Sequence, residues 1–298
     1  MINRFLELMK KTGCELEEYK SIANLTSIGI GTVVRAILYP DSSEKMIYSI
    51  KLLCELHIPY LVVGRMSNVL FRNETFDGVI IATTKINGYI LAENKIEMLC
   101  GASVAKMAHD VKEKNLGGFE GLIGIPGTLG GMIKGNAGAY GCEIADTFVR
   151  AFVYDVSREQ VCYMTKDDMQ FSYRYSVLKN KNLVLVSAEF EPIYRPYKEI
   201  CTLMMANKDH RLASQPHGIP SLGSVFKRYN GVSAGFYIDK AGLKGYRVGG
   251  AEVSDKHAGF IVNAGGATAK DVLDLIVVIK DRVMKTFGIM LEEEIEII

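Results

Sequence analysis

A stretch dense in glycine reads Gly117-Gly118-Phe119-Glu120-Gly121-Leu122-Ile123-Gly124-Ile125-Pro126-Gly127-Thr128-Leu129-Gly130-Gly131, with Asn136-Ala137-Gly138-Ala139-Tyr140-Gly141 close behind. Glycine loses more conformational entropy on folding than any other residue. A run this dense is therefore expected where the backbone passes close to a flat or anionic group. Tight turns between packed strands are the alternative, and in either case we expect the glycines to interrupt regular helices and strands.

A second informative loop, Gly64-Arg65-Met66-Ser67-Asn68-Val69-Leu70, follows the apolar run 60–63. A glycine there lets backbone amides approach a phosphate, and short polar side chains can hydrogen-bond to it. A plain turn is equally compatible with this loop. Neither stretch contains the Gly-x-Gly-x-x-Gly fingerprint after a strand or a Gly-Lys-Ser/Thr phosphate loop, so a bound dinucleotide would be held in another way.

Strand-like and helical segments alternate around these loops, which favours a layered fold of helices and sheets. Thr268 and Asp271 form a capping-box pattern at the start of the clearest helix. A cluster of Pro and Tyr at 192–197 indicates a domain junction. The predicted strands are 33–39, 60–63, 79–83, 95–100, 147–156 and 183–190, and the predicted helices are 1–11, 43–57, 104–115, 198–212 and 268–287.

Composition narrows the function classes. The 298 residues are 48% hydrophobic and carry 35 basic against 34 acidic side chains, so neither nucleic acid nor a membrane is expected as a partner. Six cysteines without a Cys-x-x-Cys pair, and histidines without a ligand pattern, predict buried reduced thiols and no metal site. No apolar run is long enough to span a bilayer and the first residues do not read as a signal peptide, so a cytoplasmic location is expected.

Taken in order along the chain, the motifs resemble those of the UDP-N-acetylenolpyruvoylglucosamine reductase (MurB) family. The resemblance covers essentially the whole chain, and the short connection after Tyr173-Arg174 is similar to the subclass that lacks an extra substrate-capping loop. The motifs are Gly-x-x-Ser-Asn-x-Leu at 64–70, Gly-Ile-Pro-Gly-Thr-Leu-Gly-Gly at 124–131, Asn-Ala-Gly-Ala-Tyr-Gly at 136–141, Tyr-Arg-Tyr-Ser at 173–176, Arg-Leu-Ala-Ser-Gln-Pro at 211–216, Pro-Ser-Leu-Gly-Ser-Val-Phe-Lys at 220–227, Ala-Gly-Leu-Lys-Gly at 241–245 and Val-Ser-Asp-Lys-His-Ala-Gly-Phe-Ile-Val-Asn at 253–263.

The resemblance implies an α+β fold with three parts. An FAD-binding fold of the vanillyl-alcohol-oxidase type would occupy two subdomains, 1–85 with the N-terminal helix and 86–192. A smaller α+β substrate-binding domain would occupy 193–298. The implied cofactor is non-covalent FAD, with NADPH as hydride donor and UDP-N-acetylglucosamine-enolpyruvate as acceptor, the two using one site in turn.

The resemblance also assigns individual residues. It implies that Arg174, Ser224 and Glu294 are catalytic and that Tyr173, Arg211 and Lys227 contact the substrate. The implied FAD-binding residues are Gly64, Arg65, Met66, Ser67, Asn68, Val69, Leu70, Gly127, Thr128, Asn136, Ala137 and Gly138. His257 is left out of the catalytic set, because a lone histidine more often satisfies a local hydrogen bond.

The chemistry of the implied reaction suits these three catalytic residue types. Hydride addition to the vinyl carbon C3 leaves negative charge on C2 and the carboxylate, which Arg174 can bind without losing its proton. Ser224 would donate a proton to C2. Glu294 would either hydrogen-bond the protonated intermediate or orient a water molecule.

Several positions depart from the family pattern. Met66 stands where the first loop usually has glycine, which is expected to stiffen or displace the loop, and Leu222, Arg228-Tyr229 and Glu296 also differ. Two other functions remain compatible: a flavin-dependent sugar or alcohol oxidase of the same fold, and a non-catalytic protein that binds a flavin or nucleotide sugar. The sequence leaves open the choice between NADPH and NADH and the oligomeric state, with which a monomer is compatible.

Overall fold

The computed structural model describes residues 1–180 and 182–298. Its α-helices are α1 (Ile2–Lys11), α2 (Ser43–Glu55), α3 (Val104–Val111), α4 (Leu129–Lys134), α5 (Tyr197–Ser214), α6 (Ala234–Lys240) and α7 (Ala269–Phe287). Its strands are β1 (Glu15–Ser21), β2 (Val33–Tyr39), β3 (Tyr60–Val63), β4 (Val69–Leu70), β5 (Thr75–Ala82), β6 (Tyr89–Ala92), β7 (Lys95–Leu99), β8 (Leu116–Gly117), β9 (Gly138–Ala139), β10 (Cys142–Glu143), β11 (Phe148–Asp155), β12 (Gln160–Thr165), β13 (Leu183–Phe190), β14 (Ile193–Tyr194), β15 (Ser221–Ser224), β16 (Arg247–Val248), β17 (Ala251–Val253), β18 (Phe260–Asn263) and β19 (Glu296–Ile297). Among the helices of these residues, none has the length and apolar character needed to cross a membrane.

The chain folds into two compact units, each with its own hydrophobic core. Unit one consists of Met1–Tyr19, Arg35–Arg65 and Asp77–His210, and unit two of Lys20–Val34, Met66–Phe76 and Arg211–Ile298. Each unit is therefore built from three separate pieces of chain. The contiguous division into 1–85, 86–192 and 193–298 stays a prediction.

Unit one contains two main sheets. The first has the strand order β1-β2-β5-β3, in which β3 runs parallel to β5 with Tyr60 opposite Val79. The second has the order β12-β11-β13-β7-β6 and is antiparallel throughout. Phe119, from the glycine-dense stretch, meets Phe190 of β13 edge to face with ring centroids 6.1 Å apart. This contact anchors the glycine-dense stretch in the core of unit one.

The expectation that the glycines interrupt every regular element is wrong at α4. Leu129, Met132 and Ile133 recur at helical spacing and are buried, so the apolar pattern overrides the low helix propensity of Gly130 and Gly131. The first amides of α4 also find partners outside the helix. The N–H groups of Leu129 and Gly130 donate to the carbonyls of Ala102 and Cys100 at 2.9 and 2.8 Å.

Unit two contains an antiparallel sheet of order β15-β18-β17-β16, with α7 contributing to its core. The capping box predicted at Thr268 and Asp271 is confirmed, and α7 ends at Gly288, whose φ of +68° favours glycine. Strand β19, near the end of the chain, pairs in parallel with β4, so that Glu296 lies opposite Val69. The first predicted FAD loop is thereby tied to the C-terminal segment.

The predicted bounds of β2, β3 and β13 are confirmed, whereas the helix predicted over 43–57 ends at Glu55. His57 has a φ of +53°, which no α-helix accommodates. The cysteine thiols of the described chain are free, and Cys14 and Cys100 are buried as predicted. Burial raises the pKa of the Cys100 thiol to about 12, which keeps it protonated. The prediction is wrong for Cys54, which is exposed.

A buried carboxylate fixes the beginning of the glycine-dense stretch. Glu120 is 5% exposed, and its two carboxylate oxygens accept hydrogen bonds from Arg195 Nη1 at 2.9 Å and from the Gly118 amide at 3.0 Å. Asn207 of α5 donates to the Glu120 carbonyl at 3.1 Å. The ion pair therefore connects the stretch to the segment that leads into α5.

We expect Glu120→Gln to destabilise the protein by about 2 kcal/mol, because it breaks the ion pair of a buried carboxylate and leaves Arg195 with only its exposed partner, Glu199. The change is measured as a shift in the urea midpoint of the apoprotein. Asp274→Asn, which removes the exposed pair with Lys270, is the control and should cost no more than about 0.5 kcal/mol. Equal shifts in the two variants would contradict the structural role of Glu120.

Candidate active site

Ser224 ends strand β15 of unit two directly after a β-bulge. Ser221 pairs with Val262 and Ser224 with Phe260, so Leu222 and Gly223 together face one residue of β18. Gly223 has a φ of +76°, a conformation that glycine adopts without strain and that G1 bulges require. The bulge re-aims the strand immediately before the serine hydroxyl, and Ser224 Oγ donates only a long hydrogen bond, 3.4 Å, to the Phe226 carbonyl.

The main chain of Val225 joins Ser224 to Glu294. Its N–H donates to the Gly259 carbonyl at 2.8 Å, and its carbonyl accepts the Glu294 amide at 2.7 Å. Phe226 and Glu293 form a bridge beside this pair. Two of the predicted catalytic residues are therefore brought together within unit two, one adjacent to Val225 in sequence and the other hydrogen-bonded to it.

Asn68 and Ser27 hold the surroundings of this site in ways that sequence reasoning missed. The Asn68 side chain, predicted to contact FAD, donates to the Glu294 carbonyl at 3.1 Å, and its own carbonyl accepts the Glu296 amide at 2.9 Å. Ser27 Oγ lies 3.1 Å from the Ser67 carbonyl and 2.7 Å from the Ser221 carbonyl. A lone serine in an irregular segment carries no sequence signal for such a role.

The neighbouring glutamates of Glu294 are engaged in ion pairs. Lys227 Nζ lies 3.0 Å from Glu292 Oε2 and holds the pKa of that carboxyl below its ordinary value. Lys280 Nζ lies 2.9 Å from Glu293 Oε1. Lys227, predicted to contact substrate phosphates, thus has a carboxylate partner that a phosphate would have to displace.

Arg174 lies in unit one, at the tip of a two-residue turn closed by mutual hydrogen bonds between Ser172 and Tyr175. Its φ is +56°, in the left-handed region that costs a non-glycine residue energy and is frequent at functional sites. The guanidinium donates from Nη2 to the Gly138 carbonyl at 3.2 Å and stacks 5.1 Å from the Tyr173 ring centroid. The turn therefore brings three predicted site residues, Tyr173, Arg174 and Gly138, into contact.

Asn136 links this turn to the second glycine motif. It is almost fully buried, and its side-chain amide donates to Glu143 Oε2 at 2.8 Å and to the Ser172 carbonyl at 3.1 Å. Its Oδ1 accepts the Ala145 amide at 3.3 Å. The side chain thus supports the turn that carries Arg174, and a contact between Asn136 and FAD stays a prediction.

In unit one, the surroundings of Gly64 and Thr128 are suited to the phosphates or the flavin of FAD. A Cβ built on Gly64 would lie 2.1 Å from Thr128 Oγ1, so only glycine lets the two loops meet here. Thr128 Oγ1 is buried and has no hydrogen-bond partner among the described residues. A buried hydroxyl without a partner is costly, and a polar atom of FAD would satisfy it. Ala137, which follows Asn136, is only partly buried.

Met66 adopts a φ of +47° and is buried. The backbone therefore takes the left-handed conformation that the usual glycine would take, at the cost of strain for a side chain with a Cβ. Burial of the thioether chain offsets this cost. The same loop contains Arg65 and the short strand β4, which consists of Val69 and Leu70. Arg211 of α5, predicted to contact the substrate, donates to Gln215 Oε1 at 3.2 Å.

The expectation that His257 satisfies a local hydrogen bond is confirmed. Its Nδ1 accepts the Gly259 amide at 3.1 Å, and its ring meets Phe260 edge to face with centroids 4.8 Å apart.

Two family models match this chain. Residues 34–157 match the family described as FAD binding domain, and residues 215–298 match the family described as UDP-N-acetylenolpyruvoylglucosamine reductase, C-terminal domain. FAD is therefore the cofactor that this fold binds.

Relatives and a solved structure match almost the whole chain. It is 42% identical to the UDP-N-acetylenolpyruvoylglucosamine reductase of Caldicellulosiruptor saccharolyticus over 99% of this chain and 96% of that protein. It is 36% identical to that of Fervidobacterium nodosum over 99% and 95% of the two chains. The crystal structure of the Thermus caldophilus protein matches with a TM-score of 0.80 and 30% identity, over 95% of this chain and 98% of that one. This chain therefore belongs to the UDP-N-acetylenolpyruvoylglucosamine reductase family.

Proposed function

We propose that this protein uses NADPH to reduce the enolpyruvyl group of UDP-N-acetylglucosamine-enolpyruvate to the lactyl ether of UDP-N-acetylmuramate, in peptidoglycan synthesis. The observation that carries the proposal is the main-chain pairing of Val225 with Glu294 beside Ser224, in a chain that matches the named reductases from end to end. When bound, FAD supplies the hydride that the vinyl carbon accepts. The protein is thus proposed to be an oxidoreductase acting on a CH–CH bond, with NADPH as the hydride donor in the direction of synthesis and NADP as acceptor in the reverse direction.

Arg174 is proposed to bind the substrate carboxylate, where negative charge accumulates in the transition state. A guanidinium is planar and permanently charged, so it can hold both carboxylate oxygens throughout the reaction. The contact with Gly138 and the stacking on Tyr173 restrict the rotamers of Arg174. Such restriction lowers the entropy that is lost when the substrate binds.

Ser224 is proposed to donate its hydroxyl proton to C2. A hydroxyl is a weak acid, but the enolate carbon is a strong base, so the transfer needs fixed geometry more than a perturbed pKa. The Gly223 bulge and the paired main chain of Val225 supply that geometry. The long hydrogen bond from Ser224 Oγ to Phe226 is easily exchanged for one to the substrate.

Glu294 is proposed either to hydrogen-bond the protonated intermediate or to orient a water molecule. The bond between the Glu294 amide and the Val225 carbonyl, beside Ser224, supports the choice of Glu294 among the clustered glutamates. Lys227, Tyr173 and Arg211 are proposed to contact the nucleotide part of the substrate. A cytoplasmic location is proposed with this function, because NADPH and nucleotide sugars are available there.

We expect Ser224→Ala to retain flavin reduction by NADPH but to slow flavin reoxidation by the enolpyruvyl substrate at least about 100-fold. The two half-reactions are followed separately by anaerobic stopped-flow absorbance. Ser221→Ala, on the same strand, is the matched control and should leave both rates near those of the parent protein. If Ser224→Ala slows both half-reactions equally, the serine is structural and the proton-donor role is refuted.

Glu294→Gln should show the same split, with reoxidation slowed by about 10- to 100-fold and reduction by NADPH retained. The isosteric amide keeps the volume but removes the charge and replaces one of the two acceptor oxygens with an NH2 donor. Glu293→Gln is the control, since it breaks the Lys280 ion pair and leaves the site carboxylate in place. Turnover of Glu294→Gln equal to that of the control would remove Glu294 from the catalytic set.

A further inference from the structure

The imidazole of His257 packs against the backbone of unit two. A Cβ built on Gly235, at the start of α6, would lie 3.2 Å from His257 Cε1, and one built on Gly259 would lie 3.0 Å from the same atom. Phe260 closes another side of the ring. The imidazole therefore packs closely against two glycines, and a Cβ at either position would require the ring or the backbone to shift.

The hydrogen bond between His257 and Gly259 fixes the protonation state of the ring. Because the Gly259 N–H is the donor, Nδ1 must be an unprotonated acceptor. Protonation would place an N–H⁺ against the Gly259 N–H and remove the bond. The contact thus exists only in the neutral form of His257.

Gly259 also lies beside Ser224. Its carbonyl accepts the Val225 amide at 2.8 Å, and a Cβ built on it would lie 3.4 Å from Ser224 Oγ. The imidazole and the serine hydroxyl therefore border the same space beside the Gly259 Cα. A shift of Gly259 would change that space and the carbonyl that holds the main chain after Ser224.

We propose that His257 is a positioning residue for Ser224, and that its protonation releases the Gly259 N–H and slows proton donation to the substrate. This inference rests on the proposed function. It gives His257 no contact with the reacting atoms and makes its effect depend on pH.

Burial, and to a smaller extent the nearby Lys244 ammonium, favours the neutral form of the imidazole. Burial lowers the pKa of His257 below its ordinary value of 6.5; contact with its own backbone acts in the opposite direction and the nearby Lys244 ammonium in the same direction. Lys244 forms an ion pair with Asp239 of α6 at 2.9 Å. On the same segment as His257, Lys256 donates to the Leu212 carbonyl at 2.7 Å, and Asp255 precedes Lys256 in the sequence. A folded-state pKa below the unfolded one means that His257 stabilises the fold above the unfolded pKa and loses this contribution as the pH falls through the folded pKa.

We expect the limiting rate of flavin reoxidation by the enolpyruvyl substrate to fall by about three- to tenfold between pH 8 and about pH 5 in the parent protein. His257→Asn should abolish this decrease, because an amide oxygen can accept the Gly259 N–H at every pH. His257→Leu, which fills the space without an acceptor, should be slow across the whole range. Flavin reduction by NADPH is measured in the same samples, and the His257 ring is titrated by NMR.

A decrease that persists in His257→Asn, or a His257 pKa at or above 6.5, would overturn the inference. The inference would also be overturned if the His257 variants changed the substrate concentration that gives half the maximal rate while the pH dependence of that rate stayed as in the parent protein. His257 would then be a substrate ligand. Absence of reoxidation in the parent protein at any pH would instead overturn the proposed function, so the two failures are distinguishable.

Discussion

The peptide groups of Val225 are the constraint on which the candidate site of unit two depends. The N–H is committed to Gly259 and the carbonyl to Glu294, two segments that are distant in sequence. Because these bonds lie on either side of one residue, the serine before it and the glutamate paired with it have little freedom to move apart. The Asn68 side chain adds a bond to the Glu294 carbonyl, so main chain and amide together hold this segment in place.

Backbone conformations that are unfavourable for most residues recur at the same positions as the chemistry. Gly223 permits the bulge before Ser224, while Arg174 and Met66 accept left-handed conformations without being glycine. Strain of this kind costs on the order of 1–3 kcal/mol for each residue and persists only where the surrounding contacts fix the backbone. At Arg174 these contacts come from the Ser172–Tyr175 turn and Asn136, and at Met66 from burial of the side chain.

The sequence predicted the elements whose periodicity or capping is local, such as β2, β13 and the capping box of α7. It did not predict α4, because glycine content argued against a helix and the decisive partners, Ala102 and Cys100, come from another segment. The motifs pointed to Ser224 and Glu294, but not to their connection through Val225. Neither the bond from Asn68 to Glu294 nor that from Ser27 to Ser221 has a signal in the sequence, since each is defined by long-range hydrogen bonds.

In the proposed reaction, a hydride passes from NADPH through FAD to an enolpyruvyl nucleotide sugar. The most direct test reduces the FAD-loaded protein with NADPH in the absence of oxygen, adds UDP-N-acetylglucosamine-enolpyruvate, and follows the visible absorbance of the flavin. We expect rapid return of the oxidised flavin band together with formation of the lactyl ether. A flavin that is reduced by NADPH but stays bleached after the addition would contradict it and would favour an oxidase or a paralog with another acceptor.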